Sequence, residues 1–135
     1  YSDVKHYALK RSAPHLVKLT SDHPLTHELL TEGWGRAWAM YIVTYTPVDI
    51  ANLRHHFRRL GKVQTPDGRS LIFRYYDPRV LRPLLPTCDT AQLRQLFPDA
   101  AQFILEGGDS RKLIRCWLDE QRANLTINTS VVSQI

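Results

Sequence analysis

The run from Arg74 to Arg79, Arg-Tyr-Tyr-Asp-Pro-Arg, concentrates the side chains of this sequence that are best suited to binding chemistry. Asp77 before Pro78 is typical of a helix start, because the carboxylate accepts hydrogen bonds from free N–H groups of the first turn. Arg74 and Arg79 flank that carboxylate closely enough to pair with it, which favours an architectural role for Asp77 as a cap. The alternative is an exposed surface of arginine and tyrosine, types enriched at binding hot spots. That alternative makes candidate partner-binding residues of Arg74, Tyr76 and Arg79.

Histidine and cysteine, the usual zinc ligands, occur in patterns that do not favour a metal site. His23 and His27 are four residues apart, but a third ligand is missing and Glu28 follows His27 directly, so we expect exposed histidines. Cys88 and Cys116 lack a C-x-x-C spacing and have apolar neighbours. We therefore expect two reduced, packed cysteines, no metal and no cofactor.

Motifs for catalysis are also missing from the sequence. It contains no Gly-x-Ser-x-Gly elbow, no phosphate-binding loop and no dinucleotide fingerprint. Of its 13 carboxylates, six occupy positions typical of helix caps or turns. Asp22, Asp77 and Asp89 are at N-cap positions, and Asp89 forms a capping-box pattern with Gln92. Asp49 is at the capping-box position of a helix capped by Thr46, and the turn residues are Asp67 and Asp109. General acid–base catalysis needs carboxylates free of such duties, so we predict no catalytic residue and no enzyme.

The helices that must position these residues are indicated by caps and stops. One helix follows a cap at Asp22 and ends at Gly33, and another follows a cap at Thr46 and ends at Gly61. Shorter helices are expected at 78–85 and 90–97. The helix that ends at Gly61 has an apolar stripe of Ile50, Leu53, Phe57 and Leu60. Its opposite face must be exposed at 100° per residue, and it carries two further candidate partner-binding residues, Arg58 and Arg59.

Strands are predicted by apolar runs between turn signals. These runs are 15–20, 37–45, 62–65 and 70–76 around Pro66-Asp67-Gly68, and 101–105 and 112–118 around Gly107-Gly108. For residues 112–118 a helix is the alternative. Residues 37–45 are apolar on both faces, which is typical of a central strand covered on both sides. The predicted fold class is α/β, a single compact lobe over residues 1–122 in which a mixed β-sheet is flanked by helices. Residues 123–135 are assigned as a tail that would begin a missing C-terminal region.

The composition is that of a soluble globular domain of 135 residues, with 43% apolar and 23% charged residues and a net charge of +5. Residues 54–82 hold eight basic and two acidic side chains, a net charge of +6. Such a basic region suits nucleic acid, acidic protein surfaces or anionic lipid. The longest apolar run, 37–43, is far below the ~20 residues of a membrane span, so no stable membrane insertion is expected. The chain begins at Tyr1, and we expect it to be a piece of a longer protein.

The stretch from Leu53 to Pro86, with its Pro-Asp-Gly-Arg turn and its Phe-Arg-Tyr-Tyr-Asp-Pro-Arg run, closely resembles the adaptor, or effector-chaperone, family of bacterial type VI secretion. Gly33-Trp34-Gly35 and Gln95-Leu96-Phe97 fit the same pattern, so the resemblance covers residues 33–98. It implies a cytoplasmic, non-enzymatic adaptor that binds a secreted toxic effector, often at a hydrophobic or transmembrane-bearing N-terminal region. The adaptor would help load this effector onto the spike-tip protein. Family members continue into a more variable second lobe, which this chain would lack.

A basic nucleic-acid-binding module is the alternative function, because the charge of residues 54–82 could follow a phosphate backbone. Against it, the aromatic residues Phe73, Tyr75 and Tyr76 share a predicted strand with one basic residue and form no stacking series. We therefore expect protein partners and no nucleic acid.

Overall fold

The computed structural model describes residues 14–64, 67–119, 121 and 124–132, which form a four-stranded sheet, a two-stranded hairpin and four α-helices. The helices are α1 Pro24–Thr31, α2 Ile50–Leu60, α3 Pro78–Leu84 and α4 Thr90–Leu96, and a 3₁₀ turn, Leu85–Thr87, follows α3. The strands are β1 Tyr41–Thr44, β2 Lys62–Gln64, β3 Ser70–Ile72, β4 Ala101–Glu106, β5 Lys112–Asp119 and β6 Asn124–Val131. The predicted α/β class is confirmed.

The four-stranded sheet has the order β1-β4-β5-β6, and each of its neighbouring pairs is antiparallel. The expectation of a mixed sheet is therefore wrong for the described residues. Short connections join β4 to β5 and β5 to β6, and short connections make neighbouring strands antiparallel. The predicted hairpin around Gly107-Gly108 is confirmed.

The first strand is shorter and less central than the sequence indicates. β1 holds four residues and lies at the edge of the sheet, whereas a central strand was expected over residues 37–45. Ala37 has a positive φ of 58° and donates its N–H to the side chain of Glu106 rather than to a strand. The backbone before Tyr41 is therefore used for a loop.

The segment 15–20, predicted as a strand, has no regular secondary structure. Its last carbonyl, that of Thr20, accepts hydrogen bonds from the His23 N–H and the Thr26 hydroxyl, so this end of the segment leads into α1. The N-cap of α1 is His23, whose Nδ1 accepts from the N–H of Leu25, and not Asp22. Proline at the first helical position places the cap on the residue just before it.

Helix α2 also begins later than predicted. Its N-cap is Asp49, which accepts from the Ala51 N–H at 3.0 Å, and not Thr46. Asp is at least as good a cap as Thr, so the later cap is the one used. The stop at Gly61 and the capping box of α4, Asp89 with Gln92, are as the sequence predicts.

The hairpin of β2 and β3 forms as predicted, although part of its turn, residues 65–66, lies outside the described residues. The expected strand over 70–76 ends at Ile72. Tyr75 and Tyr76 lie in a turn, which the hydrogen bond from the Asp77 N–H to the Arg74 carbonyl closes at 3.1 Å.

Residues 124–131, which the sequence leaves as a tail, pair with β5 along their whole length as β6. Leu125 is half-buried and the other residues of β6 are exposed. An edge strand that buries one side chain shows little alternation, which explains the weak sequence signal.

The core is organised by aromatic rings on β4 and its neighbours. Phe103 has no exposed surface, and its ring lies 4.3 Å from that of Phe97 and 6.3 Å from that of Phe57. Phe57 in turn stacks on Tyr75 at 5.3 Å. These contacts join α2, the end of α4 and the turn before α3 to one strand of the sheet.

Both cysteines are free thiols, as predicted; Cys116 is buried and Cys88 half-buried. Burial raises the pKa of the Cys116 thiol to about 12. Cys116 is therefore a small apolar residue of the core at neutral pH.

Phe103→Ala should lower the free energy of unfolding by about 3–5 kcal/mol, because it removes the ring that Phe57 and Phe97 contact and leaves a cavity. Val131→Ala on β6 is the matched control, since Val131 is 80% exposed, and should change stability by less than about 0.5 kcal/mol. Urea denaturation measures both. Equal, small losses for the two variants would contradict this description of the core.

Candidate functional site

The Arg74–Arg79 run forms a corner at the start of α3. Asp77 is the N-cap, and its Oδ1 accepts from the backbone N–H of Arg79 at 2.9 Å. The Arg79 guanidinium also binds this carboxylate with two parallel bonds, Nε to Oδ1 at 3.0 Å and Nη2 to Oδ2 at 2.8 Å. Asp77 is buried, whereas the side chain of Arg79 is 67% exposed. One carboxylate therefore fixes both the helix start and an exposed arginine.

The electrostatics of the corner keep Asp77 charged. The hydrogen bond from the Arg79 side chain lowers the pKa of Asp77 below its ordinary value of 3.8, against the opposing effect of burial, and the charge of Arg74 adds to the lowering. The same bond raises the pKa of Arg79, and the charge of Glu106 acts in that direction too. Arg74 thus acts on Asp77 through its charge, while Arg79 is its bonded partner.

The tyrosines of the run have different positions. Tyr75 is buried and packs edge-on against half-buried Tyr76 at 5.4 Å. Burial raises the pKa of the Tyr75 hydroxyl, and the neighbouring Tyr76 adds to this. Arg74 is exposed. The corner therefore presents an arginine to solvent beside two packed tyrosine rings.

Arg58 and Arg59 lie in the last turn of α2, and both are exposed. Cations near the end of a helix are favoured by its dipole. Helix α2 meets the corner through Phe57, which stacks on Tyr75. The five candidate partner-binding residues are thus carried by two elements that pack against each other, and their role in binding stays a prediction.

A second set of contacts ties the loop after α1 to the hairpin of β4 and β5. Glu106, the last residue of β4, is buried, and its carboxylate accepts from the N–H groups of Gly35 and Ala37 at 2.9 and 2.8 Å. The indole N–H of Trp34 donates to the carbonyl of Ser110 at 2.7 Å. Gly35 has a φ of +87°, a conformation that L side chains rarely adopt. The Gly-Trp-Gly sequence thus forms a turn held against the hairpin.

Helix α3 contacts the same hairpin through Arg82, whose Nη1 donates to the carbonyl oxygen of Glu106 at 2.6 Å. Glu106 therefore accepts from the loop with its side chain and from α3 with its backbone. Burial raises the pKa of the Tyr41 hydroxyl, and the charge of Glu106 adds to this.

The loop after α1, helix α3 and the hairpin of β4 and β5 enclose a polar depression of about 290 Å³, which we call the arginine cleft. Gly35, Ala37 and Gly108 form part of its lining. Its polar lining side chains are Arg36, Arg79, Arg82, Glu106, Asp109 and Ser110. The Gly-Trp-Gly segment and the Arg-Tyr-Tyr-Asp-Pro-Arg run, far apart in the sequence, both contribute residues to this cleft.

Sequence reasoning found Arg79 but missed Arg36, Arg82 and Glu106 as site residues. Glu106 carries a usable signal, because it is a lone carboxylate at the end of the apolar run 101–105 and precedes two glycines. Arg36 and Arg82 carry none, since a surface arginine has the same local signature wherever it lies.

Other chemistry has less support in the described part of the chain. No group of three or more His, Cys, Asp and Glu side chains there could hold a metal ion. Within residues 14–64, 67–119, 121 and 124–132, no helix has both the length and the apolarity to cross a membrane.

The structure is a small α/β domain in which the exposed residues Arg36 and Arg79 line a cleft between a loop, a helix start and a hairpin. The family model for a domain of unknown function, DUF4123, matches residues 1–95. The chain belongs to this family. Among curated proteins and among solved structures, nothing matches the chain. The matched residues include the Gly-Trp-Gly turn and the Asp77 corner, whereas Glu106 and Asp109 lie beyond them.

Asp77→Ala should lower the free energy of unfolding by about 1–2 kcal/mol, because the first turn of α3 loses its cap. Asp77→Asn should cost less, since an amide oxygen also caps. Urea denaturation at pH 7 measures both. Glu28→Ala, at an exposed position of α1, is the control and should stay within about 0.5 kcal/mol of the wild type.

The same variants give a pH dependence. Because the pKa of Asp77 is lowered in the folded protein, its contribution is complete above the unfolded pKa and is lost as the pH falls through the folded value. In Asp77→Asn, the free energy of unfolding should therefore fall less steeply with pH below about pH 4. Asp109, whose pKa is also lowered, should still contribute its part of the decrease. An unchanged acid slope, or a wild-type melt together with lost partner binding, would contradict the architectural role.

Proposed function

We propose that this protein is an adaptor of bacterial type VI secretion, which binds a cognate toxic effector in the cytoplasm and helps load it onto the spike-tip protein. The observation that carries the proposal is the Arg-Tyr-Tyr-Asp-Pro-Arg run, which lies within the family match and forms an exposed arginine corner on a fixed base. Arginine and tyrosine on a rigid support are suited to protein recognition, because little side-chain freedom is lost on binding.

Three carboxylates near the site are used in structural contacts, and this supports binding rather than catalysis. Asp77 caps α3, Glu106 holds the loop after α1, and Asp109 accepts from the backbone N–H and guanidinium of Arg111. A general acid or base must exchange a proton with substrate, and none of these three carboxylates can do so without loss of a structural contact. The non-enzymatic role is therefore part of the proposal.

Co-expression with a candidate toxic effector from the same genome, beginning with any toxin gene found next to this protein's gene, tests the proposal. The adaptor should co-purify with the N-terminal region of that effector and raise its soluble yield, because an adaptor covers surface that the effector would otherwise expose. In cells that lack the adaptor, export of the effector should fall while export of other effectors continues. An effector that is soluble and exported without the adaptor would contradict the proposal. Retention of random DNA that is steeply lost with salt would instead favour a nucleic-acid-binding module.

The exposed arginines of α2 give a kinetic prediction for the same complex. Arg58→Glu with Arg59→Glu should slow association with the effector or the spike-tip protein several-fold at low salt, with the difference shrinking as salt rises. Exposed charges at the rim of an interface mainly steer the encounter, so the fold should be unaffected. Stopped-flow or surface-based binding kinetics at two ionic strengths measure the effect.

Arg94→Glu with Arg115→Glu is the matched control, since both arginines are exposed and the net charge changes equally. This control separates local steering from the effect of total charge. Association rates at low salt that are identical for the wild type and the Arg58/Arg59 variant would leave those arginines as solvated surface.

A further inference from the structure

We propose that the arginine cleft binds a carboxylate of an acidic segment in the partner protein, a proposal that relies on the proposed adaptor function for the identity of that partner. Three arginines, Arg36, Arg79 and Arg82, are among the residues that line the cleft. They come from the loop after α1 and from α3, so the cleft gathers positive charge from two separate elements.

The acidic side chains of the cleft already have partners. Glu106 accepts from the N–H groups of Gly35 and Ala37. Asp109 accepts from the backbone N–H of Arg111 at 2.9 Å and from its guanidinium at 3.3 Å. In these contacts neither carboxylate accepts from the guanidinium of a lining arginine, so Glu106 and Asp109 use none of the donors of those arginines.

Two of the three arginines are held in place by bonds that use part of their donors. Arg79 uses Nε and Nη2 on Asp77, and Arg82 uses Nη1 on the carbonyl of Glu106. A guanidinium carries five N–H donors, so each keeps donors beyond those that the described contacts occupy. Fixed donors lose little freedom on binding and suit the planar geometry of a carboxylate.

Space for a ligand is provided by Gly108, which has a φ of +84°. A Cβ at this position would lie 3.5 Å from Nη2 and 3.8 Å from Nε of Arg82. Glycine thus leaves the face of that guanidinium uncovered. The volume of about 290 Å³ is at the small end for binding pockets, which fits one side chain or one chain terminus.

The balance of charge favours a carboxylate over a phosphate. Three arginines against Glu106 and Asp109 leave a charge of +1 on the lining, and the ion pairs of Arg79 with Asp77 and of Arg111 with Asp109 add one further charge of each sign. The total of +1 matches one monovalent anion. A phosphate carries up to two negative charges, and the two carboxylates of the lining would repel it more strongly.

The probe for the test is a fluorescein-labelled decapeptide of alternating Glu and Gly with an amidated C-terminus, titrated against the full chain by fluorescence anisotropy. A matched peptide with Gln in place of Glu is the control. A Gln peptide with a free C-terminus shows whether the carboxylate comes from a side chain or from a chain end. We expect binding of one or both carboxylate peptides and none of the amidated Gln peptide, with inorganic phosphate a poor competitor.

Arg36→Gln should weaken binding of the carboxylate peptide about tenfold, the effect of one lost hydrogen bond to a charged group. Arg36 is exposed, so the melting temperature should be that of the wild type. Arg94→Gln, at an exposed position of α4, is the control and should bind as the wild type does. Arg82→Lys keeps the positive charge but removes the planar guanidinium, and it should also weaken binding. Shifts of the Nε–Hε resonances of Arg36 and Arg82 on titration would place the peptide in the cleft.

Equal binding of the Glu peptide and the amidated Gln peptide, or no effect of Arg36→Gln, would overturn the proposal. Phosphate or DNA that binds more tightly than the carboxylate peptides would overturn it in favour of a phosphate site. If the effector co-purifies equally with the wild type and Arg36→Gln, and the peptides do not bind, the carboxylate site fails while the adaptor function stands. If the peptides bind at Arg36 but no effector co-purifies, the adaptor function fails and the carboxylate site stands.

Discussion

The buried carboxylate of Glu106 accepts two backbone N–H groups, those of Gly35 and Ala37, while the carbonyl of the same residue accepts from Arg82. Burial of a charged carboxylate is unfavourable unless its oxygens are bonded, and here each oxygen has a backbone donor. The loop after α1 and helix α3 are therefore held at the end of β4 by one residue. The positions of the arginines that line the cleft follow from this arrangement, since Arg36 is on that loop and Arg79 and Arg82 are on that helix.

Features with local causes could be predicted from the sequence. The caps at Asp77 and Asp89, the stop at Gly61 and the hairpin at Gly107-Gly108 each depend on neighbours within a few residues. A carboxylate two or three residues before a free N–H acts in the same way in many proteins. Arg79 could be identified as the partner of Asp77 for the same reason, because the two residues are two positions apart.

Features with distant causes could not be predicted. The backbone before β1 is a loop because Ala37 is bonded to Glu106, and no signal around residue 37 indicates that contact. β6 exposes most of its residues and therefore lacks alternation, although its pairing with β5 is complete. The cleft needs Arg36 and Asp109, which lie far apart in the sequence. It therefore becomes visible once the tertiary arrangement is known. Competing caps, such as Thr46 and Asp49, differ too little in energy for the sequence to choose between them.

The bonds from Trp34 to Ser110 and from Gly35 to Glu106 join residues 76 and 71 positions apart. Contacts of such long range close large loops, whose entropy must be lost before the contact stabilises the chain. Capped helices and the β4–β5 hairpin depend on contacts of short range in the sequence, whereas the loop after α1 can dock only on a finished hairpin. During synthesis the ribosome must release residue 110 before the turn at Gly35 has anything to bind. The cleft is therefore among the last parts of the molecule to mature, and a partner that binds there would select completed copies over folding intermediates.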